Sequence, residues 1–531
     1  MSLRAFCVCA MLLLGGVFPA RAEITTYANP LDVIIADPFV LRSGDTYYLY
    51  GTTDARLGFR VFTSNNLVDW RARGFALRKD RGDFGQRHFW APEAFEHNGK
   101  FYLHYTASSK DFSQRIVLAE SASPLGPFKE VKAPWFQSKL CVIDSHVFED
   151  VDGQLYLYYV LDCSENGDSQ IYVRKVSDEL VVSKEDTFCV KPSQPWEGIQ
   201  WNEAPFVFRR GDTYIMTYSA NCYVDTFYNV GYATAPSPLG PWTKAVENPI
   251  LRHTSNVTGP GHNAFVESPD GKELHFIYHT QQLLTGGPKR HLAIDPVRVI
   301  EEPGKLPRLV VDGPSTGPRP LPSGAKIIEG VSDEFSADEL APSWTTFNEW
   351  RPSWKLEDGF LIIQTQDGDV FEERTDLANL FLQYAPAEDF TITTRVDFTP
   401  RENYQHASIY VWQDHNHYVK LALCYDDGLR LEVAREIGGK YDKRLADARD
   451  ERLLRIRKTG QSLTFHVSRD GTEWRQLTPS FEVDFHDVKV GIAAGSPAAK
   501  PAEAKFDFFR IESAQEELIE PQMNADERRS D

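Results

Sequence analysis

Asp37-Pro-Phe-Val-Leu-Arg-Ser-Gly44, followed by Thr46-Tyr-Tyr-Leu-Tyr50, combines an apolar pair, a polar turn built on glycine and an alternating aromatic run. Period-two alternation on both sides of a glycine turn reads as a β-hairpin. The pattern returns four times: Glu93-Ala-Phe-Glu-His-Asn-Gly99 with Phe101–Tyr105, Asp144-Ser-His-Val-Phe-Glu-Asp-Val-Asp-Gly153 with Leu155–Tyr159, Glu203-Ala-Pro-Phe-Val-Phe-Arg-Arg-Gly211 with Thr213–Tyr218, and His262-Asn-Ala-Phe-Val-Glu-Ser-Pro-Asp-Gly271 with Leu274–Tyr278. The turn glycines at 44, 99, 153, 211 and 271 are 55, 54, 58 and 60 residues apart. Ser123-Pro-Leu-Gly-Pro-Phe128 recurs as Ser237-Pro-Leu-Gly-Pro-Trp242, 114 residues or two steps later. Each step holds about four short strands, and five such units closing on themselves form a β-propeller; an open sheet of about twenty strands would curl and expose its edges. A large β-sandwich would not require near-equal repeats. The expectation is an all-β chain with a five-bladed propeller over residues 23–301.

The 531 residues are too many for one domain. Aromatic residues are abundant (33 Phe, 22 Tyr, 11 Trp), which favours strands and faces that meet carbohydrate. The net charge of -19, with no basic run, excludes a nucleic-acid partner. Arg4, the apolar run from Ala5 to Phe18 and Ala20-Arg21-Ala22 form an export signal over 1–22. No other stretch has the roughly 18 to 20 apolar residues of a membrane span, so a secreted or periplasmic location is expected. Five cysteines follow the signal, Cys141, Cys163, Cys189, Cys222 and Cys424, in no zinc spacing; an odd number leaves at least one free thiol beside at most one or two disulfides. Nothing in the sequence sets the oligomeric state.

Just before each repeated apolar pair stands one ionisable residue: Asp37, Glu93, Asp144, Glu203 and His262. In a propeller the first strand of each blade lines the axis, so these positions converge at one mouth. Ionisable groups at the ends of apolar strands are paired, hydrated or working. Carboxylates gathered in one pocket raise the pKa of at least one of them, leaving a protonated acid beside an ionised base. Glycoside hydrolysis uses that pair, with a separation of roughly 6.5 to 9.5 Å for inversion against about 5 to 5.5 Å for retention. Opposed blades suit the wider gap.

Ile35-Ala36-Asp37-Pro38-Phe39, His88-Phe89-Trp90-Ala91-Pro92-Glu93, Val142-Ile143-Asp144, Asn202-Glu203-Ala204-Pro205 and Gly259-Pro260-Gly261-His262-Asn263 together resemble glycoside hydrolase family 43. That family comprises five-bladed propellers acting mainly on arabinose- and xylose-containing glycans, and the likeness spans residues 28 to 300. The resemblance implies an inverting mechanism. It makes Asp37 the general base, Glu203 the general acid and Asp144 the third carboxylate that sets the acid's pKa and orientation. It makes Trp90 an aromatic wall of the sugar subsite, and Arg290 an arginine near the third carboxylate and the sugar hydroxyls. It makes His262 an axis histidine that helps hold a calcium ion or its waters in the channel; the hydrolysis itself needs no cofactor. Many relatives have Asp where this chain has Glu93, so Glu93 is given a structural or substrate-orienting role.

Prolines at 303, 307, 314, 318, 320 and 322 mark a linker over 302–325. Alternating strands then continue over 326–513, a β-sandwich. Asp333-Glu-Phe-Ser, Trp344 and Phe506–Ile511 resemble the concanavalin-like jelly roll appended to many family 43 xylosidases and arabinofuranosidases. Such a domain binds polysaccharide, reaches over the propeller mouth and so favours exo action, or only packs. A charged tail occupies 514–531.

The expected function is release of terminal arabinofuranose or xylose from plant-type glycans, leaning to α-L-arabinofuranosidase on the Gly-Pro-Gly-His-Asn blade. The alternatives are a β-xylosidase of the same fold and a non-catalytic carbohydrate-binding propeller, which would not need an acid paired with a base.

Overall fold

The computed structural model describes residues 24–513 apart from 111, 112, 283 and 373; the expected signal (1–22) and tail (514–531) lie outside the described residues. Among the described residues, five four-stranded antiparallel sheets succeed one another, each with its strands in chain order. Blade I is Ala36–Ser43, Thr46–Thr52, Gly58–Ser64 and Arg71–Arg78; blade II is Arg87–His97, Lys100–Ser108, Gln114–Ser121 and Lys129–Lys132. Blade III is Val142–Glu149, Leu155–Leu161, Gln170–Val176 and Thr187–Val190; blade IV is Asn202–Arg210, Thr213–Ala220, Asn229–Ala235 and Thr243–Lys244. Blade V is Gly261–Glu267, Leu274–Gln281, Arg290–Ile300 and Arg308–Val311.

The first strands touch in the order I, II, III, IV, V, and the last returns to the first. Five apolar clusters fill the five gaps between neighbouring blades, so each alternating strand buries both faces. The ring is latched by the segment before blade I, which lies on the third strand of blade V: Leu31 N–H donates to Leu292 O at 2.8 Å, and Ile35 N–H to Arg290 O at 3.0 Å. The repeated Ser-Pro-Leu-Gly-Pro turn has one task in both places. Its first proline carbonyl accepts a buried tyrosine hydroxyl from the second strand of the preceding blade, Tyr50 for Pro124 and Tyr158, at 2.6 Å, for Pro238.

The proline-rich stretch is not a free spacer. Arg308–Val311 forms the outermost strand of blade V, and Arg319–Pro320 pairs with Thr26–Tyr27. Prolines are tolerated there because an edge position leaves one side of the backbone without ladder partners.

The second domain is a sandwich of two seven-stranded sheets over one core. Trp344 is buried against Phe509 and donates to Asp333 at 2.9 Å, tying the domain's opening to its closing strand. The sandwich packs on blades I and V. Lys489 Nζ lies 2.9 Å from Asp32 and 3.5 Å from Asp69, Trp412 donates to Asp32 at 3.2 Å, and His415 stacks on His291 with centroids 5.3 Å apart. All five described cysteines are free thiols, and no helix among the described residues is long and apolar enough to cross a membrane.

Candidate active site

Every first strand carries a β-bulge near its start, between Ala36 and Phe39, Trp90 and Glu93, Ile143 and His146, Glu203 and Phe206, and Gly261 and Ala264. The first bulged residue is left-handed in each case: Asp37 (φ 52°), Ala91 (43°), Asp144 (48°), Ala204 (56°) and His262 (50°). A non-glycine residue there costs about 1 to 3 kcal/mol and is held only by its surroundings. Four of these amides find a side chain on the second strand of the preceding blade. Asp37 N–H donates to His279 Nδ1 (3.1 Å), Ala91 to Thr52 (2.9 Å), Asp144 to Thr106 (3.1 Å) and His262 to Ser219 (2.8 Å). On blade III the equivalent position is Val160, which offers no acceptor. There the Ala204 amide instead acts on the Asp144 carboxylate and favours its ionised form.

The bulges bring Asp37, Asp144, Glu203 and His262 within mutual electrostatic reach, all of them buried. Burial opposes charge on Asp37, yet Arg290 and His262 outweigh it and hold this carboxyl well below the usual range. Arg290 Nη1 is 2.9 Å from Asp37 Oδ1, His262 Nδ1 is 3.3 Å from the same oxygen, and Thr52 donates to Oδ2 at 2.6 Å. Burial, then the neighbouring Asp144, pushes Glu203 up to about 8, while burial carries Asp144 up to about 6. These two titrate as a pair. The shifts run in opposite directions: the blade I carboxyl is favoured in its ionised form, while the pair on blades III and IV holds a proton more tightly, an arrangement suited to accept a proton on one side and donate one on the other.

Three residues were not legible in the sequence. Tyr228 donates to Glu203 Oε1 at 2.8 Å from the start of the third strand of blade IV, and its ring lies parallel (3°) to His279. Thr52 links the blade I carboxylate to the blade II bulge. All three looked like ordinary strand residues. The one available signal was Gly261, whose added Cβ would stand 2.3 Å from the Tyr228 ring.

Two expected placements differ. Glu93 does not share the register of Asp37 and Asp144, and neither does Glu203, which stands one residue before its bulge; Glu93 follows its bulge, at the position His146 holds on blade III, and pairs with His146 at 2.8 Å. Trp90, half-buried and stacked on His88 at 4.7 Å, takes the register that Glu203 has on blade IV. Arg290 places its guanidinium on Asp37 rather than on Asp144.

The calcium ion, or its waters, that the resemblance implies near His262 would meet a ring directed at Asp37. Burial works against its charge, but Asp37, with Asp144 and Glu203, pushes it up to about 9, which favours a protonated ring 3.3 Å from Asp37. Calcium takes six to eight oxygen ligands, and no group of three or more His, Cys, Asp or Glu among the described residues is arranged to hold a metal.

Residues 27–302 match the model of glycosyl hydrolases family 43, and residues 332–512 match the β-xylosidase C-terminal concanavalin A-like domain. The chain belongs to family 43. It is a glycoside hydrolase with a carbohydrate substrate. Family 43 relatives include an extracellular exo-α-(1→5)-L-arabinofuranosidase of Streptomyces avermitilis, 29% identical over 51% of this chain and 60% of that protein. A non-reducing-end α-L-arabinofuranosidase of Bacteroides ovatus is 24% identical over 94% of this chain and 97% of its own length. Among solved structures, a thermostable family 43 glycoside hydrolase aligns with a TM-score of 0.54 and 45% identity over 56% of this chain and 99% of that one.

Proposed function

We propose that the protein is an exported, inverting exo-glycosidase that removes terminal α-L-arabinofuranose from plant-type polysaccharides or their oligosaccharides. The carrying observation is the opposite displacement of two carboxyls at one mouth, Asp37 held ionised by Arg290 and Glu203 held protonated by burial and Asp144. Glu203 donates its proton to the leaving glycosidic oxygen while Asp37 takes one from a water that attacks the anomeric carbon from the opposite face. Asp144 keeps the acid protonated, and Arg290 is placed to meet sugar hydroxyls beside Asp37. Both proton carriers are side chains, so the reaction as written needs no cofactor. Export is supported by the signal-like first 22 residues and by the extracellular relative. The sandwich turn that puts His415 on His291, next to Arg290, supports a pocket walled on one side and hence action at chain ends. The β-xylosidase-type sandwich favours a second reading, release of terminal β-xylose by the same groups.

Incubation with arabinan, arabinoxylan and the two nitrophenyl pentosides identifies the sugar released, and proton NMR of the first-formed anomer reports inversion; a retained anomer overturns the mechanism. Glu203→Gln should abolish turnover of natural glycosides and spare part of it on aryl glycosides, whose leaving group needs no proton. Asp37→Asn should lose both. A carbohydrate-binding propeller without catalysis would show no turnover in the wild-type protein.

A further inference from the structure

His279 is wholly buried on the second strand of blade V, and its ring has two different contacts with the site. Its Nδ1 accepts the Asp37 amide at 3.1 Å. That bond locates the proton: an imidazole nitrogen that accepts has a free lone pair, so the ring is neutral and its hydrogen sits on Nε2. Nδ1 is also 3.6 Å from Asp37 Oδ1. A protonated Nδ1 could pair with that oxygen, but it would face the amide donor to donor and compete with Arg290 for the same carboxylate atom. The surroundings oppose such a cation. Burial, with Arg290 and His262, outweighs Asp37 and holds the ring's pKa well below the usual histidine range.

The face of the ring meets the other carboxyl's partner. It lies parallel to Tyr228, with 3° between the planes and 5.6 Å between centroids, and Tyr228 donates to Glu203 Oε1 at 2.8 Å. Gly261 stands opposite His279 on the neighbouring strand, and a Cβ there would meet the Tyr228 ring at 2.3 Å. The cross-strand pair is thus a seat for the tyrosine: glycine leaves the room and histidine supplies an offset-parallel face. His279 Nε2 is buried with no hydrogen-bond partner among the described residues. A phenyl ring would fill the same seat and stack as well without burying an unmatched donor. What the imidazole adds is the Nδ1 acceptor, and the Asp37 amide uses it.

We propose that His279, fixed as the neutral Nε2–H tautomer, is a positioning residue shared by both proton carriers. Its Nδ1 lone pair holds the left-handed bulge that aims Asp37, and its face holds the tyrosine that donates to Glu203. The proposal rests on the base and acid roles given to those two carboxyls. It also makes acceptor and face separable: Asn keeps an acceptor near the Nδ1 position and has no ring, whereas Phe keeps the ring and has no acceptor.

Long-range proton–nitrogen NMR of the wild-type protein carrying isotope-labelled histidine reads the tautomer directly, with the His279 signals assigned by their loss in His279→Asn or His279→Phe. A bare Nδ1 and a protonated Nε2 are expected at neutral pH; a proton on Nδ1 overturns the proposal. The pH profile on arabinotriose tests the two contacts. His279→Phe should lower kcat about ten- to hundredfold with KM nearly unchanged. Its acidic limb should move upward as the Arg290–Asp37 contact loosens, and its basic limb should stay. His279→Asn should keep the acidic limb and move the basic limb upward by less than about one unit, as the Tyr228 bond to Glu203 weakens. The charged and titratable groups facing the ring, Asp37, Arg290, His262 and Tyr228, are the same in both variants. Limbs that move together in each variant, or do not move in either, would show that His279 only fills space. A wild-type protein that leaves arabinotriose intact would count against the proposed function, and the tautomer measurement on that protein would stand.

Discussion

Arg290 Nη1 stands 2.9 Å from Asp37 Oδ1, a contact made across 253 residues of sequence where the ring closes between blades V and I. The guanidinium is permanently charged and opposes the desolvation that would otherwise raise the Asp37 pKa. In Arg290→Gln that support is lost, so the base stays protonated to higher pH. The acidic limb of kcat/KM should move up by roughly 1 to 3 pH units. An unmoved limb with lowered kcat/KM would mean that Arg290 acts on the sugar alone.

Tyr228 acts on the other limb. Its hydroxyl stabilises the ionised form of Glu203, so Tyr228→Phe should raise the acid's pKa and move the basic limb upward. The expected shift is below about one unit, since a hydrogen bond contributes about 0.5 to 1.5 kcal/mol net. A basic limb that stays in place while kcat falls would assign Tyr228 to packing against His279 only.

The same group ties activity to stability. The folded-state pKa of Glu203 is raised from 4.5 to about 8. The native state therefore binds a proton that the unfolded chain releases near pH 4.5, and it loses stability as pH rises from there toward 8. Glu203→Gln removes this cost. Its melting temperature should exceed that of the wild type at pH 8.5 by more than at pH 4.5; a difference that does not grow with pH would place the group outside a desolvated site.

Lys489 belongs to the sandwich, while its partners Asp32 and Asp69 belong to the propeller. Truncating one member of a buried ion cluster leaves uncompensated charge, about 3 to 5 kcal/mol. Lys489→Ala should lower the melting temperature in scanning calorimetry, and adding Asp32→Asn should recover part of the loss. Strictly additive losses would show that Lys489 and Asp32 are not coupled across the interface.

The propeller was legible because its repeat is local: each hairpin carries its own alternation and turn glycine, and five near-equal steps leave little else to build. Asp37, Asp144 and Glu203 were legible for the same reason, each standing seven to nine residues before the turn glycine of its repeat. Glu93 stood at a similar offset and was misplaced, because the distance from bulge to turn glycine varies from blade to blade without leaving a mark in the alternation. Tyr228, Thr52 and His279 were invisible for a different reason. Tyrosine, threonine and histidine are common on strands, and what makes these three part of the site is a partner distant in sequence: Glu203 for Tyr228, and Asp37 for Thr52 and His279. The linker reading missed Arg308–Val311 because this proline-free run of four, too short to show an alternation, lies between Pro307 and Pro314.

The left-handed kink repeated on all five inner strands separates two kinds of information. The backbone deformation decides where a side chain is aimed, and it is the same whether the residue is Asp, Ala or His. Identity at these five sockets can thus be exchanged without rewriting the ladders beneath them, so a new arrangement of acids and bases is one substitution away at Ala91 or Ala204. A scaffold of this design can diversify its chemistry while conserving its architecture.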